Sequence, residues 1–399
     1  MEKKQKYFTS VSIGTAAVWF ATHCGAGFAS GTQELQYFAS HGWFGPLMPF
    51  LTIAIIAITY YVGIETARET NLWHYNGWAK HAFDPLGKFL TITMDFCIII
   101  TTIAASAASI AAGSILLQQQ YGIPELIGSL IMFASITVLV IFGESLVRKS
   151  SLFITIAILI IISFILILGL IKFWPNIADH FANKYVNPQA PAWTITGQAT
   201  ATTEGNFGNA LLWALTYSGF QIGAVGGIAA AFKGAMSAKE AKGAMTLGYI
   251  INVLMLFGIC LLIFSGMPEI FTNPDAKKLP TIYIVNQLDS SVLHTLYPIL
   301  LFLALLSTAV GFIFGMVTRL NPYLLNNMQN KVLKKAILSM GCLIICYLVS
   351  RLGLMWVVQV AYKYLGIFSW IFLIIPLWTL GFRNIKRRRA AEKLEKAEM

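Results

Sequence analysis

The chain has 399 residues, of which 57% are hydrophobic and 11% are charged, and its mean hydropathy is +0.70. Soluble domains carry roughly 25% charged residues, so this composition indicates an integral membrane protein with many spans. The net charge of +11 does not indicate a nucleic-acid-binding protein, because the basic residues flank apolar segments. All five cysteines lie in or beside apolar runs, so no disulfide framework is expected.

The apolar runs set the expected number of membrane spans. A spanning helix needs about 20 mostly apolar residues. On that criterion the sequence predicts ten helices, at 8–39, 45–66, 85–118, 124–146, 150–173, 207–232, 240–266, 293–320, 332–350 and 366–383. The first run ends without a small-residue cleavage site, so no cleavable signal peptide is expected.

Lysine and arginine predict the orientation of these spans. With the N-terminus inside, the inner segments hold 22 of the 28 basic residues and the outer segments hold 6. Both termini are therefore expected in the cytoplasm, and the protein is expected in the plasma membrane. The segment 384–399 is interpreted as a basic cytoplasmic tail beside anionic lipid.

Two long external loops are predicted, at 174–206 and 267–292. Loops of this length often have a function, such as covering an entrance, although a tolerated insertion is an equal alternative. The first loop separates two predicted blocks of five helices, residues 1–173 and 207–383.

Glycines interrupt the first span of each block. Residues 23–31 read "HCGAGFASG" and residues 217–227 read "YSGFQIGAVGG". Each glycine costs about 1 kcal/mol relative to alanine in a helix interior. Such glycines either allow close helix packing or mark broken helices. Paired interruptions at matching positions indicate a transporter site at the interface of a 5+5 inverted repeat, with the first and sixth helices discontinuous.

This layout resembles the LeuT fold of the amino acid–polyamine–organocation (APC) superfamily. The stretch "GAGFASGTQELQYFASHGWFGPLMPFL", residues 25–51, is particularly similar to the YkvI-like membrane proteins. The resemblance extends over almost the whole chain, from Thr9 to Phe382. It implies an all-α membrane transporter with a site near the bilayer midplane.

The resemblance also implies a sodium site between the first and eighth spans. Its ligands would be the carbonyl groups of His23 and Ala26 and the hydroxyl groups of Ser307 and Thr308. These are hard oxygen ligands, which suit Na⁺. The alternative is that both hydroxyl groups bond back to the preceding turn of their helix.

A proton could replace sodium as the coupling ion. Some proton-coupled APC members place a lysine from the fifth span where the sodium would bind. Here that span, 152–169, has no lysine or arginine, and its mid-helix polar side chains are Thr155 and Ser163. No cofactor other than Na⁺ is expected.

Two of the acidic residues within predicted spans, Asp95 and Glu34, are candidates for a function. Asp95 lies roughly 10 Å beyond Lys88 along the third span, and carboxylates at such depth are functional candidates. It is a candidate proton carrier, second cation ligand or cytoplasmic gate, or forms a structural ion pair with a basic residue such as Arg319. Gln33 and Glu34 are candidates for an external gate, with Glu34 also a candidate proton site, or they meet external water.

The resemblance places the substrate between the two interrupted spans. The candidate residues are Gly25, Ala26, Gly27 and Phe28 in the first span and Tyr217, Ser218, Gly219, Phe220 and Gln221 in the sixth. Free backbone N–H groups at 26–28 and 219–221 would hold a carboxylate. Tyr217 and Phe220 would form a lid or an apolar wall, and aromatic faces would also accept betaine-like amines. Ordinary bundle packing is the alternative for both.

The favoured function is a Na⁺-coupled secondary transporter of a small amino acid or related amine that works by alternating access. The alternatives are a proton-coupled transporter that uses Asp95 and a non-transporting amino-acid sensor on the same fold. The sequence has no P-loop, HExxH or CxxC motif, and no enzyme activity is expected. The expected partners are a small molecule and the lipid bilayer, and a monomer could suffice.

Overall fold

The structure is a computed structural model that describes residues 6–142, 144–196 and 201–398. The described residues form α-helices with short 3-10 and π turns and one small antiparallel hairpin, which confirms the all-α class. The hairpin pairs β1 (Ala190–Pro191) with β2 (Thr202–Thr203) inside the first external loop.

The first predicted span is formed by three helices. They are α1 (Ser10–His23), α2 (Ala26–Ser30) and α3 (Thr32–Tyr37). A capping box between Thr9 and Ser12 begins α1. Cys24 and Gly25 separate α1 from α2, and Gly25 has an extended backbone with φ −73° and ψ −168°. Gly31 separates α2 from α3 with φ +79°, a left-handed conformation that glycine adopts without strain.

The remainder of the first half contains four long helices and one short helix. They are α4 (Met48–Thr70), α5 (Tyr75–Ala82), α6 (Gly87–Tyr121), α7 (Glu125–Phe142) and α8 (Glu144–Ala182). The side chain of Thr155 lies outside the described part of α8. Helix α8 continues nine residues beyond its predicted end. Its last turns are held by hydrogen bonds from Asn176 to the Ser265 carbonyl (3.4 Å) and from His180 to the Phe264 carbonyl (3.0 Å).

The second half begins with the sixth span. Helices α9 (Phe207–Gln221) and α10 (Val225–Ala231) are joined by a 3-10 turn, Ile222–Ala224. Gln221, Ile222, Ala224 and Val225 have right-handed helical dihedral angles. The sixth span is therefore tightened at this point, whereas the first span has an extended residue between its helices.

The other helices of the second half follow in chain order. They are α11 (Ala238–Ser265), α12 (Glu269–Thr272), α13 (Pro274–Lys278), α14 (Pro280–Asn286), α15 (Ser291–Leu320), α16 (Lys331–Ser350), α17 (Leu354–Trp356), α18 (Tyr362–Ser369) and α19 (Phe382–Glu398). Short helices α12–α14 occupy the second predicted external loop. The last span begins at Leu354, earlier than predicted, and its helices are joined by π-helical segments.

Eight helices of the described chain are long and apolar enough to cross a membrane, and α7 is a shorter apolar helix. The three helices of the first span are each too short to cross a membrane alone. In the bundle, α6 packs against α15, α7 and α16, while α1 packs against α11 and α9 against α18. Helix α2 also packs against α6 and α15, and α18 packs against α6. Parts of the first, third, sixth, eighth and tenth predicted spans therefore lie together.

Helix α19 is docked against α4. Arg389 forms ion pairs with Glu65 and with Glu69 (2.8 Å), and Arg388 pairs with Glu69 at 3.0 Å. Glu65 is fully buried, and Arg68 also pairs with it at 2.6 Å. The guanidinium groups of Arg68 and Arg389 therefore both balance its negative charge. The start of the segment predicted to lie beside lipid is therefore bound to the protein itself.

Candidate functional site

The interruption of the first span leaves backbone groups without partners. Between described residues, the N–H groups of Gly25, Gly27 and Phe28 donate no hydrogen bond, and the carbonyl groups of Ala21 and His23 accept none. An unpaired backbone group buried in a membrane protein is tolerated where it lines a cavity or contacts a ligand. The break therefore places donors and acceptors side by side.

A cavity of about 900 Å³ begins at this break. It follows α6, α10 and α15 toward the face of the bundle that carries both termini. The predicted site residues that line it are His23, Gly25, Gly27, Phe28, Gln33, Asp95, Phe220, Gln221 and Thr308. Tyr217, Ser218, Gly219, Ser307 and Glu34 are not among its lining residues.

Thr308 of α15 lies beside Gly25. A Cβ atom on Gly25 would be 3.7 Å from both Oγ1 and Cγ2 of Thr308. In the described chain, neither Ser307 nor Thr308 makes a side-chain hydrogen bond, whereas Thr318 on the same helix donates to the Phe314 carbonyl at 2.9 Å. The back-bonding alternative is therefore absent at both hydroxyl groups.

The ring of His23 joins three spans. Its Nδ1 is 2.6 Å from Asn252 Oδ1, and its Nε2 is 2.8 Å from Tyr217 Oη. Asn252 Nδ2 donates to the Gly248 carbonyl at 2.7 Å, which leaves Asn252 Oδ1 as the acceptor. His23 Nδ1–H then donates to Asn252, and Nε2 accepts from the Tyr217 hydroxyl. Asn252 is thus engaged in an interhelical hydrogen bond.

Aromatic rings form the outer wall of the cavity. Phe220 stacks on Tyr362 with centroids 4.6 Å apart and an interplanar angle of 12°. Tyr217 lies behind Phe220 at 4.9 Å, and Tyr37 of α3 contacts both rings. Tyr362 was not predicted as a site residue, because the tenth span was expected to begin at residue 366. Its aromatic side chain just before an apolar run could have indicated it.

The sixth span differs from the expectation of free N–H groups. Gly219, Phe220 and Gln221 lie in the last turn of α9, where a helix end leaves carbonyl groups unpaired, not N–H groups. The Gln221 carbonyl accepts a hydrogen bond from Tyr60 at 2.7 Å. A Cβ atom on Gly219 would collide with the backbone of Gly366, so this glycine permits close packing of α9 on α18.

Ser218 also faces away from the cavity. Its hydroxyl group is buried and donates to the Leu215 carbonyl at 2.7 Å. Gly223 packs against Thr101 of α6, whose Oγ1 would lie 2.7 Å from a Cβ atom at that glycine. The sixth span therefore supplies Phe220 and Gln221 to the cavity, while these other residues serve packing.

Asp95 lies on the wall of the cavity toward the face of the termini. Its carboxylate forms an ion pair with Arg319 and accepts a hydrogen bond from the Tyr75 hydroxyl. The Arg319 guanidinium also lies over the Tyr75 ring, 5.0 Å from its centroid. Of the alternatives left open for Asp95, the structure contains the ion pair with Arg319.

The opposite end of the bundle is closed by a different set of contacts. The Tyr37 hydroxyl donates to the Val358 carbonyl at 2.6 Å, and Gln359 Nε2 donates to Gln36 Oε1 at 2.7 Å. The first external loop covers this end, because Trp193 Nε1 donates to Thr216 Oγ1 at 2.8 Å. Glu34 lies beneath these contacts, fully buried in α3.

Comparisons with known proteins agree with this architecture. No protein-family model matches the chain. The uncharacterised membrane protein YkvI of Bacillus subtilis (strain 168) is 21% identical over 369 residues, which are 90% of this chain and 93% of YkvI. The similarity to YkvI-like proteins that the sequence suggested is thereby confirmed.

Solved structures of other proteins match the fold of this chain. The crystal structure of MhsT in complex with L-phenylalanine matches with a TM-score of 0.61 at 13% identity, over 97% of this chain and 99% of MhsT. A Na⁺-coupled sialic acid symporter in its substrate-bound outward-open state matches with a TM-score of 0.53 at 15% identity, over 87% and 74%. Identities this low identify the fold alone, and the chain has the LeuT fold.

Proposed function

We propose that the protein is a secondary transporter of a small amino acid or related amine, works by alternating access and is coupled to Na⁺. The observation that carries this proposal is the break at residues 24–25. Unpaired N–H groups, unpaired carbonyl groups and the free hydroxyl of Thr308 meet there at one end of the cavity. A ligand with both a carboxylate and an apolar part fits these surroundings.

The substrate carboxylate would bind the N–H groups of Gly25, Gly27 and Phe28. Phe220 and Tyr362 would cover its side chain, and the amide of Gln33, which lines the cavity beside Gly27, would add a polar contact. MhsT, which binds L-phenylalanine, supports an amino acid as the substrate class. The aromatic faces keep quaternary amines as a second candidate class.

Sodium would bind between the carbonyl groups of His23 and Ala26 and the hydroxyl groups of Ser307 and Thr308. The His23 carbonyl and both hydroxyl groups lack protein partners in the described chain, so they are available as ligands. A likeness in fold to a Na⁺-coupled symporter supports this ion.

The transport cycle would use the full LeuT architecture. We propose ten spans in two inverted blocks, residues 1–173 and 207–383, with the first span discontinuous at midplane depth. The protein would lie in the plasma membrane with both termini in the cytoplasm, so the cavity would open inward in this structure. The Asp95–Arg319 pair lies along this inward path. We propose that it narrows the path as part of an inner gate, in preference to carrying a coupling proton.

Thermal unfolding of the purified protein tests the proposal. Amino acids and quaternary amines are added singly, with NaCl or with choline chloride at equal ionic strength. We expect at least one compound to raise the melting temperature only when sodium is present. The double variant Ser307→Ala/Thr308→Ala should lose this sodium effect, while Thr318→Ala, on the same helix, should keep it. A sodium effect that survives in the double variant would overturn the ion site.

A further inference from the structure

Glu34 is a buried carboxyl group without a partner. Its exposed fraction is 0%, and neither carboxyl oxygen makes a hydrogen bond to any described residue. Among the described residues, no basic side chain forms an ion pair with Glu34. An isolated ionised carboxylate in such surroundings is so costly that the group takes up a proton instead.

The titratable groups that face Glu34 are weak acids. They are Cys24 at the break, Tyr217 of α9, Cys260 of α11 and Tyr297 of α15. The bases on elements packed against α3 are directed elsewhere: His41 Nε2 donates to the Gln36 carbonyl, Lys277 lies over the Phe271 ring, and Lys278 pairs with Glu125. Lys239 and Lys242 lie in the first turns of α11, at the opposite end of that helix from Cys260. On α14, Tyr283 interacts with Glu269, and α13 also carries Asp275. The neighbourhood of Glu34 therefore lacks a positive charge to balance a carboxylate.

Glu65 shows that burial alone does not have this consequence. It also has an exposed fraction of 0%, but both of its oxygens accept hydrogen bonds from Arg68, at 2.6 and 2.9 Å. The carboxylate of Glu65 therefore has paired guanidinium groups that balance its charge. The two glutamates form a matched pair with equal burial and opposite surroundings.

We propose that Glu34 is a proton-binding site that is neutral while the external side is closed and exchanges its proton with the external solution when that side opens. The proposal rests on the alternating access of the proposed function. Opening would separate Tyr37 from Val358 and Gln36 from Gln359, and water would then reach α3 and stabilise the ionised form. Because only the closed state requires the proton, external acid favours closure and external alkali favours opening.

Infrared spectroscopy of the purified protein tests the protonation state. We expect a carboxylic-acid C=O band at neutral pH that is lost in Glu34→Gln and retained in Glu65→Gln. Retention of the band in Glu34→Gln, or its absence from the parent protein, would overturn the proposal. Loss of the parent band on addition of Na⁺ alone would also overturn it, because Glu34 would then be a cation ligand.

A second measurement covers the case in which Glu34→Gln does not fold. The parent protein, labelled with ¹³C at the glutamate carboxyl carbon, should show a shift of the same band, whereas label at aspartate should leave it unchanged. A band that responds to aspartate label alone would overturn the proposal. Neither measurement requires substrate or flux, so a failure of transport would contradict the proposed function and leave the infrared result unchanged.

Discussion

The first and sixth spans carry similar glycine-rich segments but fold differently. In the first span, α1 ends at His23 and α2 begins at Ala26, with unpaired backbone groups between them. In the sixth span, right-handed helical dihedral angles continue through Ile222–Ala224, and Gly219 lies against the backbone of Gly366.

The difference shows that neighbouring elements decide what a glycine does. The intrinsic cost of glycine in a helix is the same in both spans. Gly219 lies where another helix must approach its backbone closely, whereas Gly25 lies beside a side chain at ordinary van der Waals distance. Alanine substitutions along the two spans should therefore destabilise the protein by different amounts.

Gly219→Ala should have the largest effect on stability. Its Cβ atom would collide with the Gly366 backbone, which cannot move aside without separating α18 from α9. Overpacking of this kind costs about 1–3 kcal/mol. Thermal unfolding in detergent should show a clearly lower midpoint. Gly227→Ala is the matched control in the same span, because no atom lies within 4 Å of its Cβ position; equal midpoints for the two variants would contradict the packing role.

Gly27→Ala should have an intermediate effect. The added methyl group would meet the amide end of Gln33, which is flexible and can move into the cavity. We expect a small loss of stability together with weaker ligand binding, since the displaced amide occupies the proposed site. Equilibrium binding of the best compound from the thermal screen measures the second effect. Unchanged affinity would remove Gln33 and Gly27 from the binding site.

Gly25→Val should have the smallest effect on stability and a large effect on binding. The extended backbone at Gly25 suits a β-branched residue, and its Cβ position is in ordinary contact with Thr308. The γ-methyl groups would fill the space between the break and α15. We expect a free energy of unfolding within about 1 kcal/mol of that of the parent protein, because the substitution also restricts the unfolded chain. A midpoint as low as that of Gly219→Ala would show that Gly25 is a packing glycine.

Asp95→Asn probes the inner end of the same cavity. Loss of the charge pairing with Arg319 should ease opening of the inner gate and change the rate of exchange, with little change in the dependence of flux on pH. Uptake at several pH values measures both quantities. A shifted pH profile would restore Asp95 as a proton carrier.

The sequence predicted the helical class and the LeuT fold, because apolar run lengths and the stretch 25–51 carry that information. The resemblance also indicated Thr308, which the structure places beside the break. The role of Gly219 was not predictable, since its partner Gly366 belongs to a distant part of the chain. Spacing along one helix likewise gives no information about whether Glu34 meets a base, which depends on the other elements packed against α3.

Uptake into proteoliposomes that contain only this protein tests the central claim most directly. The best compound from the thermal screen is supplied in radiolabelled form outside the vesicles, with an inward sodium gradient or with sodium at equal concentrations on both sides. We expect the compound to accumulate inside the vesicles above its external concentration. This accumulation should require the sodium gradient and should be absent in Ser307→Ala/Thr308→Ala. Binding of the same compound without any flux would contradict transport and identify the protein as a sensor with the same fold.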